Sequence, residues 1–146
     1  MDNLSNFAER LSELIFEHDL NATTLAEHIN CGNATIHRYL GGNKMPSVSM
    51  LIKLSNYFKC TTDFMLGIED ESYTAIFSEC PPFKERLRSL CKHYNISVYR
   101  LQKLTNITES TVYDWLRGVR NPSVDSLVCI AEKLDCSVDF VLGRSN

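Results

Sequence analysis

Two sets of polar side chains, 76 residues apart, have the types and spacing to do chemistry. Asn33, Ala34, His37 and Arg38 form the first set, and Glu109, Ser110, Tyr113 and Asp114 form the second. Each lies at helical spacing opposite an apolar stripe, which is Ile36, Tyr39 and Leu40 in one case and Val112, Trp115 and Leu116 in the other. A helix buried on one side, with hydrogen-bonding groups on the other, fits a major groove about 12 Å wide and can meet base edges there. Catalysis has less to work with. His18, His28, His37 and His93 occupy unrelated positions, and no Ser/His/Asp or Cys/His arrangement supports them. His28 and Cys31 have a metal-like spacing, but no second pair completes four ligands. No enzyme activity, metal or cofactor is therefore expected. Trp115 and Tyr39 lie on the buried stripes, where aromatic rings build core rather than stack on bases.

The elements that must position these two sets repeat as a block. Phe7, Glu9, Arg10, Leu11 and Leu14 recur without a gap as Phe83, Glu85, Arg86, Leu87 and Leu90. Thr35, Gly42, Pro46, Ser47, Val48 and Leu51 recur as Thr111, Gly118, Pro122, Ser123, Val124 and Leu127, and Cys60, Asp63, Phe64 and Gly67 as Cys136, Asp139, Phe140 and Gly143. The 146 residues are thus two copies of one unit rather than a single larger domain. The spacing predicts a first domain over 1–68, a connector over 69–82 and a second domain over 83–146.

Each copy reads as five short helices. Leu4, Phe7, Leu11, Leu14, Ile15 and His18 predict the first helix, matched by Phe83, Leu87, Leu90, Cys91 and Tyr94. Asn21 and Ser97 can cap a second helix carrying Leu25, Ala26 and Ile29, or Leu101 and Leu104. Tight breaks at Asn30-Cys31-Gly32 and Asn106-Ile107-Thr108 lead into the third helices, which Gly42 and Gly118 stop. Pro46 and Pro122 lead into a fourth helix, which in the second copy carries Ile130 and Leu134. Thr61 and Ser137 cap the last turn. The second and third helices together form a helix-turn-helix.

Charge is uneven along this frame. The net is −3, and residues 69–82 hold four acids and no base, whereas residues 83–146 hold ten bases against seven acids. The second copy is the better electrostatic match for phosphate. The connector is acidic and then apolar (Tyr73, Ala75, Ile76, Phe77), so it is predicted to dock on one or both bundles rather than swing freely. Six cysteines without a Cys-x-x-Cys pair read as reduced thiols, with Cys60 and Cys136 in the core. No apolar run reaches the length of a membrane span and no signal peptide opens the chain, so a cytoplasmic protein is expected.

The ordered series Leu25-Ala26-Glu27, Thr35-Ile36-His37-Arg38-Tyr39, Gly42, Pro46-Ser47 and Asp63-Phe64-Met65-Leu66-Gly67 resembles the phage-repressor or Cro-like helix-turn-helix regulators. That family is also called the xenobiotic-response-element type. The second copy repeats the pattern through Thr111-Val112-Tyr113, Gly118, Pro122-Ser123 and Asp139-Phe140-Val141-Leu142-Gly143. The resemblance implies an all-α chain of two tandem lambda-repressor-like bundles. It also implies a DNA-binding transcription regulator, of bacterial or phage repressor type, whose third helices read bases. The base-reading set is then the eight residues named at the outset. Phosphate would be held by Asn21, Thr23, Asn43 and Lys44 in the first copy and by Ser97, Arg100, Arg117 and Arg120 in the second.

The chain departs from the family pattern at several places. The usual Gln at the start of the second helix is Ala22 or Val98, and the small residue between the second and third helices is kept as Ala26 but becomes Gln102. A family ion pair between the first and third helices is replaced by Ile15 with Leu40, and by Cys91 with Leu116, which avoids the desolvation of two buried charges. Partners on this reading are double-stranded DNA, with each chain acting as a covalent pseudo-dimer or assembling into a homodimer. The alternative is a protein-interaction module (an anti-repressor, antitoxin-like partner or dimerisation scaffold) that keeps the fold with weakened DNA contacts and meets a regulatory protein. Glu109, Asp114 and the negative total charge favour that alternative.

Overall fold

The computed structural model describes residues 3–71 and 77–145, which form ten α-helices and no strand. Contacts divide the chain into two units, Met1–Ala75 and Ile76–Asn146. The first unit contains α1 (Asn3–Glu17), α2 (Ala22–His28), α3 (Asn33–Leu40), α4 (Val48–Phe58) and α5 (Thr62–Met65). The second contains α6 (Phe83–His93), α7 (Val98–Thr105), α8 (Glu109–Arg117), α9 (Val124–Leu134) and α10 (Val138–Leu142). All-α tandem bundles are therefore the fold.

The repeat extends to the backbone. Asp19, Asn30, Gly42, Lys59 and Gly67 have left-handed φ angles, and so do Asn95, Asn106, Gly118, Asp135 and Gly143, each 76 residues later. These residues end helices, where a left-handed residue lets the last carbonyls find donors. Gly, Asn and Asp tolerate that region best, which is why they hold nine of the ten positions. Lys59 is the exception. The N-caps repeat as well. Asn21 and Ser97, Ser47 and Ser123, and Thr61 and Ser137 each accept a hydrogen bond from the backbone N–H three residues on.

In the first unit Phe7, Leu11, Leu25, Ile36, Leu51, Leu54 and Met65 are fully buried; in the second Leu87, Leu90, Trp115, Leu127, Val138 and Val141 fill the core. An arginine from the first helix of each unit clamps the end of its last helix. Arg10 donates to the Phe64 carbonyl at 2.8 Å and stacks on the Phe64 ring at 3.8 Å. Arg86 donates to the carbonyls of Phe140 and Val141, with its guanidinium 4.9 Å from the Phe140 ring. A cation at a helix C-terminus also meets the negative end of the helix dipole.

Some residues depart from their predicted place. Leu104 is 38% exposed, because α7 buries only Leu101 and Thr105 and its stripe is too narrow to include a third residue. Cys136 and Leu134 are half-buried, while Cys60 is buried, and all six cysteines are free thiols. His18 is exposed rather than inward, with its ring edge on Phe58 at 5.0 Å. Tyr73, Ala75 and Ile76 of the connector lie outside the described residues. Phe77 docks on the second unit, 3.7 Å beneath the Arg144 guanidinium, and Ser78 N–H donates to the Arg144 carbonyl at 2.9 Å. Arg144 is itself 1% exposed and pairs with buried Asp139 at 2.9 Å.

Candidate nucleic-acid interface

In the first unit α3 is held firmly from behind. Ile36 and Tyr39 are buried, and the Tyr39 ring meets Phe7 edge-on at 5.6 Å. Ala26 is only 3% exposed, and its small side chain lets α2 lie close against α3. Asn33, Ala34, His37 and Arg38 are all exposed, so the four candidate base readers share the outward side of α3. Asn21, Thr23, Asn43 and Lys44 are exposed too. Asn21 is already engaged in capping α2, since its Oδ1 accepts from Thr24 N–H at 2.9 Å and its own N–H donates to Thr24 Oγ1 at 2.9 Å. Asn43 N–H donates to the Arg38 carbonyl at 3.0 Å, which turns the loop carrying Lys44 back over the end of α3. Within the turn, burial pushes the Cys31 thiol pKa up, against an opposing pull from Lys53. That thiol stays protonated at neutral pH.

The second unit presents its third helix differently. Val112 and Trp115 are buried, with Trp115 edge-on to Phe83 at 5.6 Å. Glu109, Ser110 and Tyr113 are exposed and Asp114 is half-buried. Here α7 rests mainly on α9 rather than on α8. Gln102, standing where the first unit has Ala26, takes up the room between α7 and the turn, and its Nε2 donates to the Ile107 carbonyl at 2.6 Å. Both units thus offer an outward third helix, the first backed closely by its second helix and the second more loosely.

Residues 86–142 match the family model of the Cro/C1-type HTH DNA-binding domain, and residues 13–65 match a family model described as helix-turn-helix. The chain carries two tandem helix-turn-helix domains of the Cro/C1 type. No curated protein and no solved structure matches the chain. The two matched stretches run from within α1 to the end of α5 and from within α6 to the end of α10, so each takes in a complete helix-turn-helix. DNA is accordingly the partner these domains imply. Among the described residues no three His, Cys, Asp or Glu side chains gather into a metal-binding group, and no helix is long and apolar enough to cross a membrane.

The outward faces of the two HTH domains differ in charge. The N-terminal domain carries Arg38 in the third helix and Lys44 in the loop after it, both exposed. At the position of Arg38 the C-terminal domain has Asp114, and this carboxylate draws in two of the phosphate candidates. Arg117 Nη1 lies 3.9 Å from Asp114 Oδ1, and Arg120 Nε lies 3.8 Å from Oδ2. Arg120 also donates to Thr111 Oγ1 at 3.4 Å, and Thr111 Oγ1 is 2.7 Å from Thr108 Oγ1. Arg100 and Ser97 are exposed at the start of α7, where Ser97 caps the helix by accepting from Arg100 N–H at 3.0 Å.

Only part of this arrangement is legible in the sequence. Arg117 sits three residues after Asp114 on one helix, a spacing that brings side chains together and could have revealed that pair. Arg120 lies beyond the helix end, and nothing in the sequence fixes where its loop turns. Exposed Tyr99 and Val119, at the start of α7 and just after α8, are not legible either. Their apolar character gives no sign of exposure, since composition alone does not tell which positions a short helix or a loop leaves uncovered.

Proposed function

We propose that this protein is a sequence-specific transcription regulator of bacterial or phage repressor type, acting in the cytoplasm and reading the major groove through α3 of the N-terminal domain. The observation that carries this reading is the common exposure of Asn33, Ala34, His37 and Arg38 on a helix whose other side is core. An amide, an imidazole and a guanidinium can all bond base edges, and Arg makes the commonest specific contact, a bidentate pair with guanine. Asn43 and Lys44, in the loop at the end of that helix, hold phosphate and fix the register. Because Glu109, Ser110, Tyr113 and Asp114 offer different chemistry, a target read by both domains is asymmetric within one chain.

Selection of bound fragments from a random DNA pool, followed by titration with Arg38→Ala, tests the reading. The variant should lose about 1–3 kcal/mol of discrimination at one base position while keeping its grip on random duplex. An Arg38→Ala protein that binds every probe as the parent does would remove α3 from the reading role.

A second reading is favoured by the C-terminal domain. Tyr113 is 59% exposed, Val119 after the end of the same helix is exposed too, and the arginines are partly neutralised by Asp114. Exposed aromatic and apolar side chains with subdued charge suit a protein partner better than a phosphate backbone. On that reading this domain serves as a protein-interaction module while the N-terminal domain meets DNA.

A further inference from the structure

Asp114 occupies the middle of the outward face of α8, between two arginines that approach from different directions. Arg117 comes from one helical turn further along α8, and Arg120 reaches back from the loop. Each guanidinium has another partner on the same face. Arg117 lies 5.3 Å above the ring of Tyr113, and Arg120 donates to Thr111 Oγ1. The carboxylate is 29% exposed and the arginines 54% and 56%, so the cluster faces solvent without being fully washed by it. The N-terminal domain has no equivalent, since the matching positions are Arg38, Gly41 and Lys44.

Resting on the reading that the C-terminal domain meets DNA, we propose that Asp114 is an internal competitor for the arginines that would hold phosphate, and thereby a specificity-setting residue. A phosphate oxygen and a carboxylate oxygen make the same demand on a guanidinium, and the arginines cannot serve both at full strength. On arbitrary sequence, Arg117 and Arg120 must weaken their contact with Asp114, and its carboxylate is pressed into the phosphate field. On a matching sequence, a cytosine N4 amino group donates to the carboxylate and relieves both costs. Specificity then arises from a penalty on the wrong DNA as much as from a contact with the right one.

The test is Asp114→Asn in the full chain, which keeps the shape and removes the charge. Two probes are used, a random-sequence duplex and the sequence that the parent protein selects from a random pool, each titrated with salt. Random-duplex affinity should rise about fivefold or more in dilute buffer. Its salt dependence should steepen by about one unit of slope. The ratio of selected to random affinity should fall. Adding Arg117→Ala and Arg120→Ala together should abolish the gain.

Unchanged random-duplex affinity overturns the competition, and an affinity gain equal on both probes overturns the specificity role. A gain that survives loss of both arginines overturns the mechanism, because plain repulsion between carboxylate and phosphate would then account for it. If neither the parent nor the variant binds duplex DNA at low salt, the DNA-binding reading of the domain fails and this inference fails with it. If the parent binds and Asp114→Asn changes nothing, the double variant Arg117→Ala, Arg120→Ala tells the two failures apart: weaker random-duplex binding by it sinks only the inference, and unchanged binding sinks the reading that this domain meets DNA as well.

Discussion

The two HTH domains share their backbone stops, their helix caps and their first-to-last-helix clamp, and differ most sharply in the charge they face outward. Left-handed residues, N-caps and the arginine clamp from first helix to last helix all recur 76 residues apart. Yet the outward cation Arg38 becomes the anion Asp114, and on the inside buried Ala26 becomes Gln102. A bundle of this size has little core to spare, so caps and buried side chains are tightly constrained. Exposed positions cost little to change and carry the reversal of charge. The fold is therefore a property of both halves, whereas function has to be argued face by face.

The sharpest contrast in stability lies at the end of each domain. Arg144 is buried against Asp139 and Phe77, while its counterpart Ile68 is exposed. Replacing Arg144 with Met leaves the Asp139 carboxylate buried without that guanidinium and removes the stack on Phe77. Loss of one member of a buried pair costs about 3–5 kcal/mol. Denaturant unfolding should show the C-terminal transition moving to lower concentration while the N-terminal one stays in place. Ile68→Ala should move neither. Equal, small shifts for both variants would mean that the ion pair adds nothing to the C-terminal domain.

The helix-turn-helix packing gives the next largest effect. Ala26 is buried between α2 and α3, so Ala26→Gln forces a long polar side chain into a filled space. Overpacking of this kind costs about 1–3 kcal/mol. The reverse change, Gln102→Ala, removes the hydrogen bond to the Ile107 carbonyl and should cost about 1 kcal/mol. If Ala26→Gln is tolerated as well as Gln102→Ala, the two second helices are less differently placed than their contacts indicate.

These contrasts also mark how far the sequence can be read. The helices, their caps and the glycine stops are legible because each rests on local rules: a Ser, Thr or Asn before an apolar period, and a Gly after it; the left-handed Asp19, Lys59, Asn95 and Asp135 carry no such mark. The repeat doubles every such signal. Arg144 gives no such sign. It is the third residue from the end, its counterpart is Ile68, and its burial depends on a ring 67 residues earlier in the chain. The docking of Phe77 follows from its apolar character, but its partner does not, since composition says only that a residue will be covered. Leu104 fails for the opposite reason, because helical spacing alone does not tell how wide the covered stripe of a short helix is. On the outward faces the sequence locates polar residues on the third helices, while the Asp114 cluster depends on the course of a loop.

The smallest effect belongs to the one break in the backbone repeat. Lys59 and Asp135 both close their helices at φ 54. A left-handed backbone costs an ordinary L-residue roughly 1–2 kcal/mol through the crowding of Cβ against the carbonyl oxygen. Asn and Asp offset part of this by bonding locally with a short polar side chain, which the Lys stem cannot do. Lys59 is exposed and capping there is done by its backbone N–H, which donates to the Asn56 carbonyl at 3.3 Å. Lys59→Asn should therefore stabilise the N-terminal domain by about 0.5–1 kcal/mol. The matching change Asp135→Asn should leave the C-terminal domain nearly unmoved, because Asp already meets the requirement. Thermal unfolding of the two single variants separates the cases. A gain at both positions would point to charge rather than backbone strain, and a gain at neither would mean that Lys59 sits in the left-handed region without cost.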